Sequence, residues 1–130
     1  MIKDLWDIGK EIFDMSDTLK KQDKDKRESL SKLLLHIGNV IKDTYHKLLN
    51  NVYPAGNCQQ LEIFSEELFK LTTNILGETK ARSLSNKLMQ AHEVEKLLGE
   101  VQQGNVDKKE LVLLDEASGN FIAASQLVLI

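Results

Sequence analysis

The sequence has few of the residues that build disulfide-stabilised or β-rich folds. Its 130 residues include one cysteine, one proline and seven aromatic residues (one Trp, two Tyr and four Phe). A single cysteine cannot form a disulfide within the chain, so a reducing compartment fits best. The scarcity of aromatic residues disfavours an all-β sandwich, and the abundance of leucine favours packed helices.

An excess of charge of one sign and a long apolar run are both missing as well. The chain has 17 basic and 20 acidic residues and a net charge of -3, which gives no electrostatic case for binding nucleic acid. No stretch approaches the ~18 uncharged apolar residues of a membrane-spanning helix. Charges within Met1–Asp7 also disfavour a signal peptide. We therefore expect a soluble cytoplasmic protein that binds neither nucleic acid nor membrane.

Apolar residues recur at alternating steps of three and four along most of the chain, which is the spacing of one helical face. The chain length suits one domain, and 42% hydrophobic residues are enough for a core that needs no disulfide bond or bound metal ion. We predict a single all-α domain over 1–130: a compact antiparallel bundle of about five helices, with four in a bundle and one additional helix. The predicted helical segments are 2–20, 25–50, 57–76, 79–103 and 107–130.

Capping residues define several of these boundaries. Asp25 and Glu28 have capping-box spacing at the start of the second segment, although Asp23 is the alternative N-cap. Gly77 is a natural C′ residue after the third segment. The connection that follows is so short that the third and fourth segments should be antiparallel neighbours.

The last segment allows two interpretations. Its apolar residues follow helical spacing, but 118–120 (Ser-Gly-Asn) could also turn a β-hairpin. The flanking runs lack the period-two alternation of a half-buried strand, so we favour a helix. Four glycines fall inside predicted helices, where each costs about 1 kcal/mol relative to alanine, and we predict that they allow close approach between helices. They are Gly9, Gly38, Gly99 and Gly119.

Breaker residues concentrate between the second and third segments. Pro54 fixes its own φ and pushes Tyr53 towards extended geometry, and Gly56 can take a positive φ. Cys58 follows at the first turn of the next helix. That position favours a thiolate, but no second cysteine or nearby histidine accompanies it, so we predict a buried structural cysteine.

The same stretch carries a resemblance to known proteins. Residues 53–61 resemble a Y-P-x-G-x-C-x-x-L turn of small uncharacterised bacterial all-α proteins, and 91–95 resemble a second block of that group. The resemblance implies a compact helical module that serves as an accessory domain in signalling or defence assemblies, and it assigns no catalytic residue. It also implies a stereotyped structural turn whose residues are Tyr53, Pro54, Gly56 and Cys58.

Motifs of catalysis and metal binding are incomplete. His92 and Glu93 begin an H-E-x-x-H zinc pattern, but Lys96 occupies the position of the second histidine. A di-iron bundle needs two Glu-x-x-His pairs, and Asp43 with His46 is the nearest match. The sequence contains no phosphate-binding glycine loop. We predict no enzyme activity, no catalytic residue, no metal and no cofactor.

Apolar surface is present in surplus. Trp6 and Phe13 form a second stripe beside the complete apolar stripe of the first segment, and surplus apolar surface usually marks a partner site. We predict a non-catalytic helical protein-protein interaction module that binds a protein partner or itself as a homodimer. The predicted contact residues are Trp6, Phe13, Leu127, Leu129 and Ile130. One alternative is a bundle that binds a small ligand in an apolar cavity, with Tyr45 or Tyr53 as a polar handle. The other is a metal-binding or catalytic bundle.

Overall fold

A computed structural model describes residues 2–52, 54–89 and 108–130, and the side chain of residue 55 lies outside that description. The described part of the chain is helical throughout, apart from short connections, and contains no strand, which confirms the all-α prediction. Its six helices are α1 (Ile2–Asp14), α2 (Ser16–Lys20), α3 (Lys24–Leu49), α4 (Ala55–Leu76), α5 (Glu78–Met89) and α6 (Lys108–Leu127).

The last helix, α6, is the centre of the packing. Its most extensive contacts are with α3 on one side and α1 on the other. Among the described residues, Phe121 is the largest fully buried side chain, and it lies on the face of α6 that also buries Leu114, Ala117 and Ala124. A helix placed between two others buries apolar surface on both flanks, which explains why small residues alternate with large ones along α6.

Hydrogen bonds fix the direction of α3 relative to α6. The Ser31 hydroxyl donates to the carbonyl of Ser125 (2.7 Å), and the Ser118 hydroxyl donates to the carbonyl of Gly38 (2.9 Å). Because the later residue of α3 meets the earlier residue of α6, the two helices are antiparallel. These serines also satisfy their buried hydroxyls, which would otherwise destabilise the core.

Glycines bring both neighbours close to α6. A Cβ at Gly38 would lie 2.7 Å from Ile122 Cγ1, and a Cβ at Gly9 would lie 3.1 Å from the carbonyl oxygen of Ala117. The prediction of close helix approach is therefore confirmed at these two positions. It is wrong for Gly119, since a Cβ there would meet nothing within 4 Å, and Gly99 lies outside the described residues.

The third and fourth predicted segments form an adjacent antiparallel pair, as expected. Gly77 separates α4 from α5 with a φ of 87°, a conformation that glycine adopts at little cost. α4 also packs on α3, and α5 packs on α1. The part of the fourth segment beyond Met89, 90–103, lies outside the described residues.

Several boundaries differ from the predictions by a few residues. The first segment is two helices rather than one, because the chain leaves helical geometry at Met15 and the Ser16 hydroxyl donates to the carbonyl of Phe13 (2.7 Å). The N-cap of α3 is the alternative residue Asp23, whose carboxylate accepts from the Lys26 backbone amide. The third segment begins at 55 rather than 57.

The last segment is a single helix that continues through 118–120. The favoured helical interpretation is therefore confirmed, and the hairpin alternative is wrong.

Candidate interaction surface

Helix α1 presents two stripes of different burial. Leu5, Ile8 and Ile12 are buried in the core, whereas Trp6 is half-buried and Phe13 is 39% exposed. Trp6 and Phe13 are seven residues apart and therefore lie on the same flank of the helix. In the second stripe predicted from the sequence, Trp6 is thus partly covered by its own chain, and Phe13 is the more exposed of the two.

Trp6 is held by groups of its own chain. Its indole Nε1 donates to Glu116 Oε2 of α6 at 2.9 Å, and the Lys10 ammonium lies 5.3 Å from the ring centroid. The ring also packs against the buried core. A hydrogen bond to a carboxylate and a cation over the ring both fix its orientation. Trp6 therefore marks the place where the flank of α1 meets α6.

Burial decreases over the last residues of the chain, at and after the end of α6. Leu127 is half-buried and Val128 is fully buried. Leu129 and Ile130 are 51% and 83% exposed. Of the three apolar residues predicted to contact a partner here, two are thus open to solvent and one is partly covered by its own chain.

Helix α3 contributes an exposed residue to the same side of α6. Ser31, Leu35 and Gly38 follow one another at steps of four and three, so they share a stripe. Ser31 and Gly38 both contact α6, and Leu35 between them is 39% exposed. Leu35 therefore lies on the stripe of α3 that contacts α6, and Phe13 lies on the flank of α1 that includes Trp6.

Helix α6 also contributes exposed positions, one of which carries no side chain. Gly119 is exposed and has open space at its Cβ position, and Val112, seven residues earlier on the same stripe, is 53% exposed. At Gly9 and Gly38, α1 and α3 approach α6 at positions within three residues of Gly119. We call this surface the outer face, and it consists of Trp6, Phe13, Leu35, Val112 and Gly119.

The outer face combines apolar side chains of three helices with an open position at Gly119, and the exposed Asp115 and Glu116 of α6 interrupt it. Phe13 and Leu35 belong to α1 and α3, the two helices that pack on α6. A helix could pack closely on the Gly119 position, because no side chain would hold its backbone away.

Sequence periodicity predicted the stripe of Trp6 and Phe13 on α1. It did not point to Leu35, Val112 or Gly119 as surface partners of that stripe, because the neighbours of each helix are set by the tertiary fold.

The turn before α4 differs in detail from the prediction. Pro54 and Cys58 are buried, and Tyr53 lies outside the described residues. Gly56 is exposed within the first turn of α4, and the residue that takes a positive φ is Asn51, at 57°. Asparagine tolerates that conformation better than most residues, so the turn places its left-handed residue earlier than the glycine suggested.

A polar cluster around the buried Asn57 joins α3 to the start of α4. The Asn57 amide nitrogen donates to Thr44 Oγ1 (2.9 Å) and to Asp43 Oδ2 (3.0 Å), and Asn57 Oδ1 accepts from Lys47 Nζ (2.9 Å). Lys47 also pairs with Asp43 at 3.1 Å. The side chains of this Asn57 cluster use one another as partners, which is the behaviour of a structural junction rather than of a reactive site. The sequence presented Asn57 only as a helix start.

The cluster changes the acidity of one of its members. Hydrogen bonds from Asn57 and Lys47 hold the pKa of the Asp43 carboxyl below its usual value. Because the folded pKa is lower than the unfolded one, the ionised carboxylate stabilises the fold at pH values above the unfolded pKa of about 3.9. That contribution is lost as the pH falls through the folded pKa.

We therefore expect Asp43→Asn to lower the urea midpoint at pH 7, with a smaller difference from wild type at about pH 3. Urea unfolding followed by circular dichroism at both pH values measures this. Asp115→Asn, at an exposed position of α6, is the matched control and should change the midpoint little at pH 7. An unchanged midpoint for Asp43→Asn at pH 7 would show that the cluster does not stabilise the fold.

Histidines and carboxylates form no metal centre among the described residues. His36 stacks on Phe64 with ring centroids 6.1 Å apart, and His46 contacts the half-buried Tyr45 at 5.4 Å. Within the described ranges, no three His, Cys, Asp or Glu side chains lie close enough to hold a metal ion. His92 lies outside those ranges. None of the described helices is long and apolar enough to cross a membrane.

Comparison of the chain with models of protein families, with curated proteins and with solved structures finds no match. No activity is therefore carried over to this chain from another protein. A functional proposal rests on the chain's own surface.

Proposed function

We propose that the chain is a non-catalytic helical interaction module of the cytoplasm, and that it uses the outer face to bind a helix of another polypeptide. The partner to test first is a second copy of the chain. An accessory role in a bacterial signalling or defence assembly, which the resemblance of 53–61 implies, is part of the same proposal.

One observation carries the proposal. Exposed Phe13 and Leu35 belong to the helices that flank the open position at Gly119. Isolated exposed apolar residues are common on proteins and need no explanation. We infer that the exposed apolar residues of these packed helices and the open position act as one surface, since exposed apolar patches are typical of binding surfaces.

The aromatic residues give the surface its expected energetic centre. Trp6 is already oriented by Glu116 and Lys10, so its ordering costs little further entropy on binding. Phe13 offers an exposed aromatic ring on the same flank of α1. Aromatic side chains that become fully covered on binding are the residues that most often dominate affinity.

Light scattering after size exclusion tests self-association over a range of protein concentrations. We expect the mass to rise from 14.7 kDa towards twice that value. Phe13→Lys should weaken dimerisation by about tenfold or more, because it places a charge where an aromatic ring would be buried. A wild-type mass that stays at 14.7 kDa up to about 1 mM would contradict self-association.

Ile63→Lys is the matched control. Ile63 is 62% exposed on α4, which packs on α3 and α5 and does not belong to the outer face. The control replaces a more exposed apolar residue, outside the outer face, by the same lysine, so it should leave dimerisation unchanged. Equal weakening by both variants would show that general charge, and not the outer face, controls association.

A partner other than a second copy is tested by purification from the native host followed by mass spectrometry. Wild type, Phe13→Lys and Ile63→Lys serve as baits. We expect a partner that is retained by wild type and by Ile63→Lys and lost with Phe13→Lys. A partner retained equally by all three proteins would contradict binding at the outer face.

A further inference from the structure

We draw no further inference here: the strongest candidate, the gap over Gly119 on the exposed side of α6 between α1 and α3, belongs to the surface already proposed, and nothing in the structure shows which partner covers it.

Discussion

Phe121→Ala is expected to lower the free energy of unfolding by about 3–5 kcal/mol, the usual loss for a buried phenylalanine truncated to alanine. Phe121 is fully buried on α6. Its Cβ lies 3.2 Å from the Cβ position of Gly38, and its Cδ2 lies 3.4 Å from that of Gly9. The side chain therefore fills the space where α1 and α3 both approach α6, and neither glycine offers atoms that could move into a cavity.

Denaturant unfolding followed by far-ultraviolet circular dichroism measures the loss. Domains of this size are stable by about 5–15 kcal/mol, so the variant should retain only part of its stability or fail to fold at 37 °C. Phe13→Ala is the control, because the same truncation at a 39% exposed position should cost about 1 kcal/mol or less. Similar losses for the two variants would contradict the central position of Phe121.

Gly38→Val is expected to lower the free energy of unfolding by about 3 kcal/mol, at the upper end of the usual cost of overpacking. The first added carbon would lie 2.7 Å from Ile122 Cγ1 and 3.2 Å from the Ile122 backbone nitrogen. The side chain could rotate away, but the backbone nitrogen belongs to a packed helix and cannot move alone. α3 must therefore shift away from α6.

Gly119→Val provides the opposite case within the same fold. A Cβ at Gly119 meets nothing within 4 Å, and valine has a slightly better helix propensity than glycine. We expect its unfolding free energy to stay within about 0.5 kcal/mol of wild type. Both variants are compared at low protein concentration, because any dimerisation would itself add to the apparent stability of wild type. A loss of similar size at both positions would contradict the attribution of the loss at Gly38 to its close contact with Ile122 of α6.

Regular helical periodicity made most of the fold predictable. The stripe of α3 from Leu30 to Leu48 is buried as its spacing required, and Gly77 ends α4 where a C′ glycine was expected. Signals of this kind are local, since they depend on residues three or four apart. Helix ends were less certain, because two nearby residues could each serve as the N-cap. For α3 these residues were Asp23 and Asp25.

Features that depend on neighbouring helices could not be predicted. Gly38 and Gly119 have the same local sequence signal, and only the position of α1, α3 and α6 relative to one another makes one crowded and the other open. The contact of Trp6 with Glu116 joins residues 110 positions apart. Asn57 resembled a helix cap, but α3 lies where its amide can instead be buried among polar partners.

The solution mass of Gly119→Val beside that of wild type tests the proposed function most directly, because this variant fills the gap in the outer face without disturbing the core. At equal concentration, we expect a dimeric mass for wild type and 14.7 kDa for the variant, with unfolding free energies within about 0.5 kcal/mol of each other. A wild-type protein that remains monomeric, or a variant that dimerises as well as wild type, would contradict binding of a second copy at the outer face.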